Sequence, residues 1–258
     1  MTNTNREEST MNRSTQRSTQ RAAIVTGGNA GIGRAIVEHL LEAGYEVVSL
    51  DLRANAPGHA RLHTVEVDLC DAAATREAAA EIAARHAPTT LIHNAGTIRP
   101  ALLPDVAHED LLALTNLHLA APIALAQAML PAMREQHFGR LVLVSSRAAL
   151  GLATRTAYSA TKAGMLGLVR TWALELGPLG VTANAIAPGP IQTGMFHEIV
   201  PADSPKVAQI AAGIPVGRLG QPDDIARAAM FFAAPENGFV TGQTLYVCGG
   251  TSTGSLAL

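Results

Sequence analysis

The chain has 258 residues, of which 48% are hydrophobic and 16% charged, and its formal net charge is −2. This length and apolar content predict one large α/β domain with a sizeable core and exclude disorder of the whole chain. The near-zero charge gives no basic surface for nucleic acid, and no apolar run approaches the length of a membrane span. Two cysteines are too few for a disulfide framework, so we expect a cytoplasmic protein.

The order of short and long apolar runs predicts the layout of the domain. Polar, repetitive residues 1–20 predict a disordered tail before a single domain over residues 21–258. Strands are predicted at Ala22–Thr26, Val47–Asp51, Leu62–Val67, Thr90–His93, Leu141–Ser145, Val181–Ile186 and Thr244–Val247. Helices are predicted at Ile32–Ala43, Ala72–Arg85, His108–Glu135, Thr156–Leu176 and Asp223–Ala233. This alternation predicts a parallel sheet of about seven strands with helices on both faces, and the Pro- and Gly-rich stretch Pro188–Pro215 predicts a mobile loop.

A glycine-rich turn follows the first predicted strand and reads Thr26-Gly-Gly-Asn-Ala-Gly-Ile-Gly33. Glycines let the backbone approach a pyrophosphate closely, and the phosphate charge then rests on the N-terminus of the next helix. Asp51, eighteen residues past Gly33, ends the second strand, where it can accept hydrogen bonds from an adenosine ribose. This acid favours NAD as the cofactor, whereas the nearby Arg53 leaves NADP open.

A tyrosine and a lysine form the second motif. Among 19 basic residues only Lys162 and Lys206 are lysines, and Lys162 stands four residues after Tyr158. Residues at this spacing share one helix face, so the phenol and the ammonium project together. An adjacent ammonium and an oxidised nicotinamide ring stabilise the phenolate and lower its pKa. We therefore expect Tyr158 to exchange a proton with a carbonyl or alcohol oxygen.

Taken together, these motifs resemble the short-chain dehydrogenase/reductase family. The glycine spacing, Asn94-Ala95-Gly96, Tyr158-x-x-x-Lys162 with serines upstream, and Pro188-Gly189 carry the resemblance from about Arg21 to Gly250. It implies a single-domain, Rossmann-type doubly wound sheet, a nicotinamide cofactor and a homotetramer or homodimer, of which we expect the tetramer, with particular likeness to 3-oxoacyl-thioester reductases.

The resemblance also implies roles for individual residues. Tyr158 is the acid/base, Lys162 tunes it and holds the nicotinamide ribose, and Asn116 supports a water-linked proton relay. The polarising serine is Ser145 by the family's spacing to Tyr158 but Ser146 by strand register, and we favour Ser146 because a register slip would turn every side chain over. The implied cofactor-binding residues are Gly27, Asn29, Gly31, Ile32, Gly33, Asp51, Asp68, Leu69, Asn94, Ala95, Gly96, Tyr158, Lys162, Pro188, Gly189, Ile191 and Thr193.

Several other residues bear on substrate and assembly. The resemblance implies a substrate loop over about residues 190–215, with Gly194–Gly213 as a lid and Met195, Phe196 and Ile199 as its apolar lining. Cys248 stands where relatives commonly have Asp, which affects local tail packing or a subunit contact. The nine histidines show no metal-binding spacing, so we expect no metal. Arg99, Arg147 and Arg155 fall in segments that border the site, where they could recognise an anionic substrate.

These observations predict an NAD(H)-dependent oxidoreductase that acts on a small secondary alcohol or ketone, without nucleic-acid or membrane partners. One alternative is a 3-oxoacyl-thioester reductase that uses NADPH. An alternative of another class is a non-catalytic dinucleotide sensor or scaffold, which predicts a degraded Tyr/Lys pair beside an intact glycine loop. In this sequence both motifs are intact.

Overall fold

The computed structural model describes residues 21–54 and 58–253, so the predicted tail over residues 1–20 and the last five residues lie outside it. Across the described ranges, seven parallel strands form one sheet in the order β3-β2-β1-β4-β5-β6-β7. The strands are β1 (Ala22–Thr26), β2 (Glu46–Asp51), β3 (Leu62–Glu66), β4 (Thr90–His93), β5 (Gly139–Val144), β6 (Val181–Pro188) and β7 (Thr244–Val247). The order changes direction between β1 and β4, and this is where doubly wound sheets open a crevice for a ligand.

Helices cover both faces of the sheet and confirm the predicted fold class. They are α1 (Gly31–Glu42), α2 (Ala72–His86), α3 (His108–Thr115), α4 (Ala121–Gln136), α5 (Thr156–Leu176), α6 (Gly194–Ile199), α7 (Lys206–Ala212) and α8 (Pro222–Ala233). One apolar core lies between the sheet and α2, α4 and α5, and a second lies between the sheet and α1 and α8. Because both faces are covered, the central strands β1, β4, β5 and β6 are buried along their whole length.

A π-helical segment, Asn116–Ala120, joins α3 to α4 into one long helix. The stretch His108–Gln136 is long and apolar enough to cross a membrane by length and composition alone. Four large side chains of this stretch are nevertheless fully buried in the protein core, namely Leu114, Leu125, Met129 and Met133. Its apolar character is thus that of a helix that packs on a sheet.

The stretch Pro188–Pro215 is more regular than its composition predicts. It contains the short helices α6 and α7, where the sequence predicts only an irregular loop. The Thr193 hydroxyl accepts a hydrogen bond from the backbone N–H of Phe196 at 3.3 Å and so caps the start of α6. These helices are too short to show a clear apolar period in the sequence.

Candidate active site

The glycine-rich turn between β1 and α1 forms the floor of the site. Gly27 has φ +64° and Gly31 has φ +51°, a left-handed backbone that glycine adopts without strain. A Cβ atom on Gly33 would stand 1.9 Å from the carbonyl oxygen of Gly27. The turn is therefore folded too tightly for a side chain at this position, which leaves its backbone open to a ligand.

Residues after β4 hold this turn in place. The Thr26 hydroxyl oxygen accepts hydrogen bonds from the backbone N–H groups of Asn94 and Ala95, both at 3.0 Å. The Asn94 side-chain amide in turn donates to the carbonyl oxygens of Thr26 and Gly27, at 3.3 and 3.1 Å. The ends of β1 and β4 are thus tied together at the point where the strand order reverses.

Asp51 and Asn29 lie together at one end of the glycine turn. The Asp51 carboxylate accepts hydrogen bonds from the backbone N–H groups of Asn29, at 3.1 Å, and Leu52, at 2.8 Å. The Asn29 side-chain amide donates to the carbonyl oxygen of Arg53 and accepts a hydrogen bond from Ser49. Because a carboxylate can accept about four hydrogen bonds, Asp51 keeps capacity for a further donor.

A cavity of about 550 Å³ runs along the carboxyl ends of the strands. Thirteen of the nineteen predicted site residues line it: Gly27, Gly31, Ile32, Asn94, Ala95, Gly96, Ser146, Tyr158, Lys162, Pro188, Gly189, Ile191 and Thr193. The other six do not, and they are Asn29, Gly33, Asp51, Asp68, Leu69 and Asn116. The cavity thus joins the glycine turn to the Tyr/Lys pair in one space.

Tyr158 and two serines meet at one end of this cavity. Ser146 lies in hydrogen-bonding contact with the Tyr158 phenol, and its hydroxyl oxygen accepts from the Ala148 N–H at 3.1 Å. Ser145 is buried and donates instead to the carbonyl oxygen of Lys162 at 2.7 Å. The hydroxyl beside the phenol is therefore that of Ser146, as strand register predicts.

The pKa of Tyr158 lies above its ordinary value in the protein alone. Burial raises this pKa, and the hydrogen bond from Ser146 and the charge of Arg155 offset only part of the rise. The sequence predicts a lowered pKa from the neighbouring ammonium, and the structure gives a raised one. The pKa is raised because burial disfavours the phenolate more than its neighbours stabilise it. Tyr158 therefore carries its proton at neutral pH.

Lys162 is fully buried below Tyr158. Its Nζ atom donates to the carbonyl oxygen of Val144 at 2.9 Å and lies 5.6 Å from the centre of the Tyr158 ring. Burial lowers the pKa of Lys162 to about 7. A small change in the surroundings of this ammonium therefore changes its charge near neutral pH.

Three of the predicted residues that do not line the cavity have structural contacts elsewhere. Asn116 begins the π-helical segment, and its side-chain amide donates to the carbonyl oxygen of Cys70 at 3.1 Å. Asp68 is exposed and accepts a hydrogen bond from the Cys70 N–H at 2.9 Å, whereas the neighbouring Leu69 is buried. Cys70 thus links the loop after β3 to the helix that carries Asn116.

The three arginines considered for an anionic substrate separate into two groups. Arg147 and Arg155 are half-buried and line the cavity. Arg99 does not line it; its guanidinium lies 3.7 Å from the Asp110 carboxylate. Thr154 has φ +65°, which is strained for a β-branched residue, and its carbonyl and hydroxyl oxygens accept from Arg155 Nη1 at 3.2 and 2.6 Å. Arg155 is thus held in place at the edge of the site.

Part of the cavity lining is apolar. It includes the predicted lining residues Met195, Phe196 and Ile199, together with Leu152 and Ile98. The first three lie on α6, one of the two short helices in the predicted substrate loop. The predicted lid thus contributes an apolar surface to the cavity that the Tyr/Lys pair also lines.

Two buried histidines next to the site were missed from the sequence. His93 ends β4 and His118 lies in the π-helical segment, and both are fully buried. Burial and the charge of Lys162 lower the pKa of His93 to about 3 and lower the pKa of His118 well below its ordinary value. In the sequence both histidines stand among apolar residues, and this pattern was the available indication that they are buried.

One further group of side chains in the described part of the chain has metal-ligand chemistry. Glu46, His63 and His86 lie together at the amino ends of the strands, at the edge opposite the cavity. The Glu46 Oε1 atom lies 3.0 Å from His63 Nε2 and 2.7 Å from His86 Nδ1. The carboxylate thus already serves both imidazoles as a hydrogen-bond acceptor.

Cys248 is buried near the end of β7 and contacts the Ser252 hydroxyl at 3.1 Å. Its backbone packs tightly on Gly189, where a Cβ atom would stand 2.7 Å from the Cys248 Cα atom. The backbone of Cys248 therefore packs against the residue that follows β6, and its thiol contacts the segment after β7.

Known proteins resemble this chain over most of its length. A family model described as enoyl-(acyl carrier protein) reductase matches residues 27–252. The (2S)-((R)-hydroxy(phenyl)methyl)succinyl-CoA dehydrogenase subunit BbsD of Thauera aromatica is 37% identical, with 90% of this chain and 96% of that protein covered. Acetoacetyl-CoA reductase of Shinella zoogloeoides is 36% identical, with 89% and 98% covered.

Solved structures share the fold. Ligand-free aldohexose dehydrogenase of Thermoplasma acidophilum superposes with a TM-score of 0.84 at 26% identity, and 93% of this chain and 96% of that chain are covered. A blue fluorescent protein from a metagenomic library, in complex with NADPH, gives a TM-score of 0.80 at 31% identity, with 89% and 97% covered.

Proposed function

Because the chain belongs to the short-chain dehydrogenase/reductase family of oxidoreductases, which act on CH–OH and keto groups, we propose that it transfers a hydride between a nicotinamide dinucleotide and a 3-oxoacyl or 3-hydroxyacyl thioester. The observation that carries this proposal is the cavity that joins the glycine turn to Ser146, Tyr158 and Lys162. A dinucleotide at one end and a carbonyl at the other would share this space.

The glycine turn fits a dinucleotide. Gly27 and Gly31 leave the backbone of the turn uncovered where the cavity begins, and the N-terminus of α1 favours negative charge there. Gly27, Gly31 and Ile32 would hold the pyrophosphate, and Asp51 would accept hydrogen bonds from the adenosine ribose, which favours NAD. The bound nicotinamide supplies or accepts the hydride.

The residues of this chain then handle the proton and the substrate oxygen. Tyr158, protonated at neutral pH, donates its proton to the carbonyl oxygen during reduction and becomes a phenolate. In the oxidation direction the phenolate form of Tyr158 removes the hydroxyl proton of the alcohol. Ser146 donates a hydrogen bond to the same oxygen and orients it. Lys162 holds the nicotinamide ribose hydroxyls and stabilises negative charge on the phenol, and Asn116 supports the relay of protons to solvent.

Two observations favour a thioester as substrate. Both relatives reported above act, by their names, on CoA esters, namely (2S)-((R)-hydroxy(phenyl)methyl)succinyl-CoA dehydrogenase and acetoacetyl-CoA reductase. The apolar wall formed by Met195, Phe196 and Ile199 suits an acyl chain, and Arg147 and Arg155 would accept an anionic group. A small neutral alcohol would use neither feature.

The test is the rate of NADH and NADPH oxidation with acetoacetyl-CoA. We expect turnover with NADH, and a loss of at least about 100-fold in kcat in Tyr158→Phe because a general acid is removed. The control is the NADH dissociation constant, which should stay unchanged in this variant. Unchanged turnover in Tyr158→Phe would contradict the assigned mechanism, and activity with small secondary alcohols alone would contradict the thioester.

We also propose that the enzyme is a cytoplasmic homotetramer. Leu103, Leu111 and Leu112, in and just before α3, are exposed apolar side chains that a subunit contact would cover. Both cysteines are unpaired, as in a reducing compartment. Sedimentation of the purified protein tests the assembly, and a monomeric species at micromolar concentration would contradict it.

A further inference from the structure

The two buried imidazoles beside Lys162 have no role in the proposed reaction. His93 and His118 have no exposed surface, and within the described part of the chain the Nε2 atom of His118 has no hydrogen-bond partner, whereas the His93 ring has the Leu117 backbone beside it. A buried polar atom without a partner is rare enough in folded proteins to require an explanation. Their neighbours show which of the two Nε2 atoms can accept a hydrogen bond.

The hydrogen bonds of Thr161 favour one tautomer of His118. The Thr161 hydroxyl donates its single hydrogen to the helix carbonyls, at 2.9 Å from Ala157 and 3.1 Å from Tyr158. Its oxygen, 2.9 Å from His118 Nδ1, must then accept a hydrogen bond from that ring. His118 Nδ1 therefore carries the hydrogen, and Nε2 of the neutral ring is an acceptor.

The same reasoning gives His93 the opposite tautomer. The Thr26 hydroxyl oxygen already accepts hydrogen bonds from two backbone N–H groups, so its own hydrogen points to His93 Nδ1 at 2.9 Å. The hydrogen of the neutral His93 ring is then on Nε2, which is a donor. Of the two rings, only His118 offers an acceptor to a cation.

Lys162 is the cation that this acceptor faces. A Cβ atom placed on Gly96 would lie 3.1 Å from His118 Nε2 and 3.3 Å from Lys162 Nζ, so both nitrogens border the same space. The ammonium has three hydrogens, and the only close oxygen acceptor that we find for it among the described residues is the carbonyl of Val144 at 2.9 Å. Two polar groups that face each other beyond direct hydrogen-bond distance are commonly bridged by water.

We propose that His118 is a positioning residue for Lys162, whose ammonium donates through one water molecule to His118 Nε2. This contact keeps Lys162 charged and in place while Tyr158 exchanges its proton, a consequence that rests on the proposed function. The ionisable groups that face Lys162 are Tyr158 on the same helix, His118 on the π-helical segment and His93 on β4, and β5 contributes only the Val144 carbonyl.

The direction of the effect follows from the charge of Lys162. Burial lowers the pKa of this ammonium to about 7, and an acceptor that the ammonium reaches through a water molecule opposes that fall. The pKa of Lys162 should therefore fall further when the His118 acceptor is removed. Because His118 stays neutral, it accepts a hydrogen bond throughout the working pH range.

The scarcity of lysine allows a direct measurement. The chain contains only Lys162 and Lys206, so protein labelled with ¹³Cε-lysine gives two signals in a pH titration by NMR. Lys206 is exposed and serves as the internal control. In His118→Asn the side-chain amide reaches only as far as the position of Nδ1, so the acceptor at the position of Nε2 is lost. In His118→Gln the longer side chain places an amide oxygen near the position of Nε2.

We expect the pKa of Lys162 to fall by about one unit in His118→Asn and to stay close to the wild-type value in His118→Gln. An unchanged pKa in both variants, or an equal fall in both, would overturn the proposal. Histidine ¹⁵N spectra of the wild-type protein test it without any substitution, because a hydrogen on Nε2 of His118 would also overturn it.

The kinetic counterpart is the pH profile of kcat for carbonyl reduction. Activity should fall at high pH because Lys162 loses its proton. The pH at which activity falls should be lower in His118→Asn and close to the wild-type value in His118→Gln. The NMR titration needs neither substrate nor cofactor. A failure of the proposed function is thus distinguishable from a failure of this inference.

Discussion

The substitution Gly33→Ala tests whether the tight glycine turn creates the dinucleotide site. The new Cβ atom would stand 1.9 Å from the Gly27 carbonyl oxygen and 2.6 Å from the Asn94 side-chain nitrogen. Non-bonded heavy atoms of this kind prefer separations of about 3.5 Å, so the Gly27 carbonyl must move by roughly 1.5 Å. Its hydrogen bond from Asn94, now 3.1 Å long, would then be disrupted.

The size of the effect follows from two opposing contributions. Overpacking of this kind costs about 1–3 kcal/mol, whereas alanine is about 1 kcal/mol better than glycine inside a helix such as α1. The free energy of unfolding should therefore fall by no more than about 2 kcal/mol. The displaced turn should weaken dinucleotide binding by a further contribution of about 2 kcal/mol, which corresponds to about 30-fold in Kd.

The assay is the NADH dissociation constant from fluorescence titration, measured together with the free energy of unfolding. The matched control is Gly167→Ala, because Gly167 lies inside α5 and a Cβ there meets nothing within 4 Å. This control should gain up to about 1 kcal/mol of stability and bind NADH normally. If Gly33→Ala bound NADH within twofold of the wild type, the turn would not be the pyrophosphate site.

Three further predictions concern the other end of the cavity. Ser146→Ala should lower kcat by about tenfold or more with little change in stability, as steady-state kinetics would show. Ser145→Ala should instead lower the free energy of unfolding by about 1 kcal/mol, as urea unfolding would show. The reverse result would assign the polarising role to Ser145. Because burial lowers the pKa of Lys162 from 10.5 to about 7, the folded protein binds fewer protons than the unfolded chain between these values. The free energy of unfolding should rise from pH 7 to 9 by up to about 1.4 kcal/mol per unit, and Lys162→Met should reduce this rise. Arg155→Ala should raise KM about tenfold for an anionic substrate and leave KM for a neutral ketone unchanged, with Arg99→Ala as the control that changes neither.

The regular elements of the fold are predictable because their apolar periods are long and undisturbed. The bounds of four elements agree with the sequence prediction at both ends, namely those of β1, β4, β7 and α5. The prediction misses the π-helical segment, because one extra residue in a turn barely alters the apolar pattern of His108–Gln136. It also misses α6 and α7, which a Pro- and Gly-rich composition conceals.

Site residues can be predicted from the sequence where their role depends on spacing along a helix or strand. They cannot be predicted where their role depends on burial. Tyr158 and Lys162 follow from helical spacing, and Ser146 follows from strand register. His93 and His118 could not be placed, because their role depends on which atoms of Thr26 and Thr161 they meet across the fold. The sequence also predicts a lowered pKa for Tyr158, whereas the structure gives a raised one. The two differ because the degree of burial of the phenol cannot be read from the sequence.

The π-helical segment also restricts which changes of chain length this enzyme can tolerate. A π turn holds one residue more than an α turn, so a single deletion within Asn116–Ala120 would restore an uninterrupted α-helix. Each residue advances a helix by about 100°, but the π turn already absorbs its extra residue, so this deletion would leave the rotation of α4 relative to α3 nearly unchanged. A second deletion would have no extra residue left to absorb it, and it would turn Leu125, Met129 and Met133 away from the core. The helix can therefore lose one residue within Asn116–Ala120, whereas any further loss of length is opposed by the packing of α4.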